Sequence, residues 1–154
     1  MRIFILAVML LTVTVLVRAD EGAPGTGRGQ IVTKDQTKQF AEDFLRVLVN
    51  GRVFDAFQVI KAANPDAEAE IESRRQTTET MLDQAHQVFG KSLAPELLDT
   101  KSLGESLVRY DYLFKLEKGV LHFRIIFYKP MNRWIPLDLF FNDNLQQLFD
   151  DLGK

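Results

Sequence analysis

Leu107-Val-Arg-Tyr-Asp-Tyr-Leu-Phe-Lys-Leu116, then Val120-Leu-His-Phe-Arg-Ile-Ile-Phe-Tyr128, then Trp134-Ile-Pro-Leu-Asp-Leu-Phe-Phe-Asn142: these runs decide the fold. In each, apolar side chains recur at every second position, the period of a β-strand. The breaks between them, Glu117-Lys118-Gly119 and Pro130-Met131-Asn132-Arg133, are too short for a crossover, so neighbouring strands must run antiparallel. Before them, Leu97 to Ser102 reads as a short edge strand, turned back by Leu103-Gly104-Glu105.

Alternation sorts the side chains to two faces. One face takes Val108, Tyr110, Tyr112, Phe114 and Leu116, then Leu121, Phe123, Ile125 and Phe127, then Ile135, Leu137, Leu139 and Phe141. It is uniformly apolar and needs a cover of helices. The other face is mixed: Leu107, Arg109, Asp111, Leu113 and Lys115, then Val120, His122, Arg124, Ile126 and Tyr128, then Trp134, Pro136, Asp138, Phe140 and Asn142. A register that keeps both faces consistent puts Asp111 opposite Arg124, with Arg109 in diagonal reach. A bulged Glu-Lys-Gly loop would shift the pairing by one residue and turn a whole strand over, which the alternation opposes.

Upstream the period is helical. Thr33-Lys34-Asp35-Gln36 matches a capping box, and Phe40, Phe44, Val47 and Leu48 follow at helical spacing, with Leu45 beside them. Asn50-Gly51 stops this first helix near Val49. Val53, Phe57 and Ile60 mark a second helix that ends at Asn64-Pro65. A third continues to Phe89 before Gly90, with a stripe of Met81, Leu82, Ala85, Val88 and Phe89; its polar first half should project over the surface. Leu145, Leu148 and Phe149 suit one closing helical turn begun by Asp143.

The chain opens with Met1-Arg2, an apolar run from Ile3 to Val17, and Arg18-Ala19-Asp20, the three parts of a secretory signal peptide, with cleavage after Ala19. A run of that length spans roughly 22 Å as a helix, short of a roughly 30 Å bilayer core. Residues 1–19 therefore read as a signal peptide, residues 20–32 as a flexible Gly-rich linker and residues 33–154 as one domain, exported to the periplasm or secreted. With no cysteine the chain has no lipid-anchor site, no disulfide and no thiolate metal site. Loss of Arg2 and Arg18 leaves 17 basic and 21 acidic residues, a formal charge of −4, which argues against nucleic acid as a partner.

Leu103-Gly-Glu-Ser-Leu-Val-Arg-Tyr-Asp-Tyr-Leu113, Phe123-Arg-Ile-Ile-Phe-Tyr-Lys-Pro130 and Phe140-Phe-Asn-Asp-Asn144 are similar to stretches in small exported bacterial proteins of uncharacterised function. The order of helices, meander and short closing helix over residues 34–150 resembles the NTF2-like (cystatin-like) superfamily. The resemblance implies an α+β fold: N-terminal helices packed on one face of a bent antiparallel sheet of three to four strands, leaving a conical pocket. It implies no single function, because function lives in the site and not in the fold.

Enzymes of that superfamily typically place an Asp or His, with tyrosine donors, on the face lining the pocket. Here the uniform face offers only the hydroxyls of Tyr110 and Tyr112, and the helices add Phe40, Phe44, Phe57 and Leu82, none of them a base. A tyrosine with its ordinary pKa near 10 is a poor base at neutral pH. The expectation is an exported, non-catalytic domain that binds a small apolar ligand through Tyr110, Tyr112, Phe44 and Phe57, or serves as an interaction module, with a homodimer through the sheet. No catalytic residue, metal or cofactor is assigned, and no membrane contact is expected after cleavage. The alternative is a small lyase- or isomerase-like enzyme using Asp111 or His122 with the tyrosines.

Asp111, Arg124 and His122 read first as a cross-strand salt bridge with a surface histidine beside it, extended by Arg109 and Asp138. Trp134, Tyr128, Ile126 and Phe140 could form an exposed patch for a partner. His86 has no recognisable partner. Asn142, Asp143 and Asn144 lack the spacing of a calcium loop. No GxSxG, HExxH or P-loop is present.

Overall fold

The computed structural model describes residues 30–152. The expected signal peptide and residues 20–29 of the expected linker lie outside the described residues. The fold itself begins within the stretch read as linker: Ile31 is buried and pairs with Trp134 in an isolated antiparallel bridge, where the Trp134 N–H donates to the Ile31 carbonyl at 2.7 Å.

Thr33 then starts helix α1, Lys34–Val49. The capping box forms as read: Thr33 accepts from the Gln36 N–H at 3.2 Å, and Gln36 Oε1 accepts from the Thr33 N–H at 3.0 Å. Such a cap stabilises a helix by about 1 kcal/mol. Helix α2 spans Val53–Ala63. Pro65–Ala67 make a 3-10 turn, and α3 runs Glu68–Phe89. Four strands follow, β1 (Glu96–Leu103), β2 (Leu107–Leu116), β3 (Gly119–Tyr128) and β4 (Ile135–Asn142), and α4 (Leu145–Leu152) ends the described chain. The sheet is open, antiparallel throughout, in the order β1-β2-β3-β4. The molecule is thus α+β. No helix among the described residues is long and apolar enough to cross a membrane.

The β2–β3 register is the one alternation requires, with Asp111 opposite Arg124 and Leu116 opposite Gly119. Only Glu117 and Lys118 lie between the paired ends, so no shift arises there. The shift occurs one strand later. Ile126 pairs with Asp138 but Phe127 pairs with Pro136, leaving Leu137 as the extra residue of a bulge. This corrects the expected inner set of β4. Leu139 and Phe141 stay inside, but Leu137 is 50% exposed, while Pro136 and Trp134, expected outside, are buried.

The inner face packs directly on α1 and α2, ring against ring. Phe40 meets Phe127 edge-on at 5.7 Å between centroids, and Phe44 stacks on Phe123 at 5.7 Å. Each such buried side chain contributes about 1.5–3 kcal/mol by leaving water. Helix α3 also departs from expectation. Its buried stripe is Ile71, Thr78, Leu82 and Ala85, whereas Val88 is 66% exposed. Its first half does not project freely. Arg74 reaches β4, donating to the Leu139 carbonyl at 2.7 Å, and Asn64 donates to the Pro136 carbonyl at 3.1 Å. These side chains occupy carbonyls of a strand edge that would otherwise offer itself to another strand. The opposite edge, β1, carries its own bulge at Leu98 and the charges of Asp99 and Lys101.

Gly90 turns the chain from α3 toward β1 with φ +82°, a conformation other residues rarely adopt. Beyond it Ser92 bridges Leu116, and His86 Nε2 lies 2.6 Å from Ser92 Oγ, so His86 has a partner that its sequence position concealed.

Candidate functional site

The sheet separates two groups of chemically capable side chains. The inner group is aromatic. Strand β2 carries Tyr110 and Tyr112 inward, α1 supplies Phe44 and α2 supplies Phe57; each is 2% exposed. Phe44 meets Phe57 at 5.4 Å and 71°, and Tyr112 lies 6.3 Å from Phe123. The Tyr110 hydroxyl is satisfied by α1: it stands 2.8 Å from Thr37 Oγ1 and donates to the Lys34 carbonyl at 3.3 Å, while Thr37 donates to that carbonyl at 2.6 Å. Thr37 is a latch that the sequence reading missed. Its position, one turn before Ala41 and two before Phe44–Leu45 on the buried stripe, was the available signal.

The Tyr112 hydroxyl differs. It is buried and has no hydrogen-bond partner. Burial, then the nearby Glu42 charge and Tyr110, push its pKa well above the usual phenol value. Burial also raises Tyr110, against the opposing hydrogen bond with Thr37. Both are neutral phenols at any physiological pH, donors and not bases.

The outer group is ionic. Asp111 is fully buried, and His122 is 3% exposed, not the surface histidine expected. Arg124 Nε donates to Asp111 Oδ1 at 2.7 Å, and His122 Nε2 lies 2.7 Å from the same oxygen. An ionised carboxylate only accepts, so Nε2 carries the proton. Arg109 Nε stands 2.6 Å from Oδ2, close as an ion pair but not aligned as a hydrogen bond, and Arg109 Nη2 is 3.6 Å from Asp99 Oδ2. His122 also meets the Phe140 ring edge-on at 6.1 Å. Asp138 does not join this network as expected. It pairs with Arg74 at 2.7 Å, because the long Arg74 side chain reaches from α3 to β4.

Burial raises the Asp111 pKa, but the hydrogen bonds from His122 and Arg124 and the charges of Arg124 and Arg109 outweigh it, so the carboxyl stays below its usual value. A carboxylate held by three cationic or donor groups is a poor proton acceptor. Asp111 and His122 face away from Tyr110 and Tyr112, on the other side of β2 and β3. A reaction needing both sets would need them on one side of the sheet.

Among the described residues no three His, Asp or Glu side chains gather as metal ligands. At Asn142, the side chain accepts from the Asn144 N–H at 2.7 Å, a local turn leading into α4. Of the patch expected on the mixed face, Tyr128 and Phe140 are over a third exposed and Ile126 half-buried, while Trp134 has turned inside. No protein-family model, curated protein or solved structure compared with the chain matches it. The class that geometry alone defines is an α+β domain: three helices before an open four-stranded antiparallel meander with an aromatic inner face, one short helix after it, and a buried ion cluster outside.

Proposed function

We propose that this chain is an exported, non-catalytic domain of the NTF2-like kind, taking a small apolar ligand with one hydrogen-bond acceptor against the inner face of its sheet. One observation carries the reading: the Tyr112 hydroxyl is buried in the core with no partner. Leaving such a group unsatisfied costs about 1–3 kcal/mol, and a ligand acceptor would relieve it. Phe44, Phe57 and Tyr110 supply the apolar walls. Entry requires α1 to lift from β2, and the Thr37–Tyr110 contact is what it must release. Export is supported by the apolar run from Ile3 to Val17 and the small residue at Ala19.

The test uses a naphthyl ketone such as prodan, an apolar fluorophore whose carbonyl accepts one hydrogen bond. The protein is expected to bind it with blue-shifted emission. Tyr112→Phe should weaken binding about three- to tenfold, the worth of one neutral hydrogen bond. Unchanged affinity in Tyr112→Phe would remove the basis of the proposal.

A further inference from the structure

A separate cleft of about 380 Å3 opens where the chain enters the fold, lined in part by Val32, Lys34, Glu105, Leu107, Lys129 and Trp134. It shares no residue with the Asp111 cluster, and it meets the aromatic interior only at Lys34, whose backbone carbonyl accepts from Tyr110 while its side chain lines the cleft. Its size falls in the range of small-molecule sites, and its lining joins apolar surface to a few charges. The apolar part is Val32, which is 48% exposed, with half-buried Leu107 and the small part of Trp134, 5% exposed, that reaches the lining.

The cationic part is two ammonium groups. Lys34 Nζ donates to Ser102 Oγ at 2.5 Å, and Lys129 Nζ lies 5.9 Å from the centroid of the Trp134 ring. Among the described residues neither has a carboxylate partner in a salt bridge. Lys34 also stands in the first turn of α1, at the positive end of the helix dipole, where a cation is least favoured. Glu105 brings one carboxylate to the lining. Two ammonium groups against one carboxylate leave a single positive charge beside the apolar surface of Val32 and Leu107.

We propose that this cleft binds a small monocarboxylate with an apolar tail, its headgroup held by Lys34 and Lys129 and its tail on Val32, Leu107 and Trp134. The net charge selects a monoanion, and the apolar walls select a tail over acetate-sized acids.

Trp134 is the one tryptophan of the chain, so its emission reports on this site. Octanoate is titrated into the purified protein, with octanol and acetate as controls and calorimetry as a second readout. Octanoate should bind saturably and at least tenfold more tightly than octanol or acetate. Lys34→Gln and Lys129→Gln should each weaken octanoate at least fivefold without changing the circular dichroism, and Lys129→Arg should restore it. Tyr112→Phe, which alters only the interior, should leave octanoate binding unchanged, so this proposal and the interior reading can fail separately. Equal binding of octanol and octanoate, indifference to both lysine variants, or silence in both fluorescence and calorimetry would overturn it.

Discussion

Replacing Asp111 by Ala removes the hub of the outer cluster. The side chain is wholly buried, and its two oxygens face His122, Arg124 and Arg109 at 2.6–2.7 Å. Breaking a buried ion pair by deleting one partner costs about 3–5 kcal/mol, because the other charge stays behind uncompensated. Here the orphaned guanidinium groups keep some water, at 22% and 18% exposure for Arg109 and Arg124. The lower end of that range, about 3 kcal/mol, is therefore expected. For a domain of this size that lowers Tm by roughly 10 °C. Asp111→Asn keeps the shape and loses the charge, and should cost about 2 kcal/mol.

The pH dependence gives a second readout of the same variant. The folded pKa of Asp111 lies below its unfolded value. Its contribution is then fully present above the unfolded pKa, near 4, and is lost as pH falls through the folded one. Wild type should lose stability over that acid window, and Asp111→Asn should lose less of it. Thermal denaturation followed by circular dichroism at pH 7 and across pH 2–5 measures both. An Asp111→Ala protein within 0.5 kcal/mol of wild type at pH 7 would refute the reasoning.

Three further changes follow from other parts of the fold. Tyr112→Phe should stabilise the protein by about 1 kcal/mol in thermal melts, because it removes a buried hydroxyl with no partner. Arg74→Ala should cost about 1 kcal/mol, since its ion pairs are part-exposed, and should make size-exclusion elution depend on concentration as the Leu139 carbonyl on β4 is uncovered. Gly90→Ala should cost about 1–3 kcal/mol in denaturant unfolding, because φ +82° with ψ −159° suits glycine almost alone and the new methyl would meet the Glu117 side chain.

Much of this architecture could be read from local sequence chemistry. Thr33 and Gln36 announced α1 because a capping box is satisfied within four residues. The Asp111–Arg124 pairing was legible because a slipped register would have turned one strand's apolar side chains to the wrong face. The β4 bulge was not legible from alternation, since Ile135, Leu137, Leu139 and Phe141 keep an unbroken period of two. Pro136 was the one hint, as proline within a strand belongs at edges and bulges. Arg74 and Asn64 were invisible because their partners are backbone carbonyls more than sixty residues away. The candidate site was half legible. Tyr110, Tyr112, Phe44 and Phe57 are all buried in one core, but only tertiary packing decides that Thr37 satisfies one phenol and nothing satisfies the other.

The central claim is that ligand chemistry belongs to the inner face, and that the Asp111 cluster outside is structural. The side-chain NMR signals of Tyr112 and His122 report on the two faces, and only two histidines need assigning. On titration with prodan, the Tyr112 ring signals should shift saturably while the His122 ring protons stay in place. Shifts at His122 with Tyr112 unmoved would place the ligand on the outer face and contradict the account.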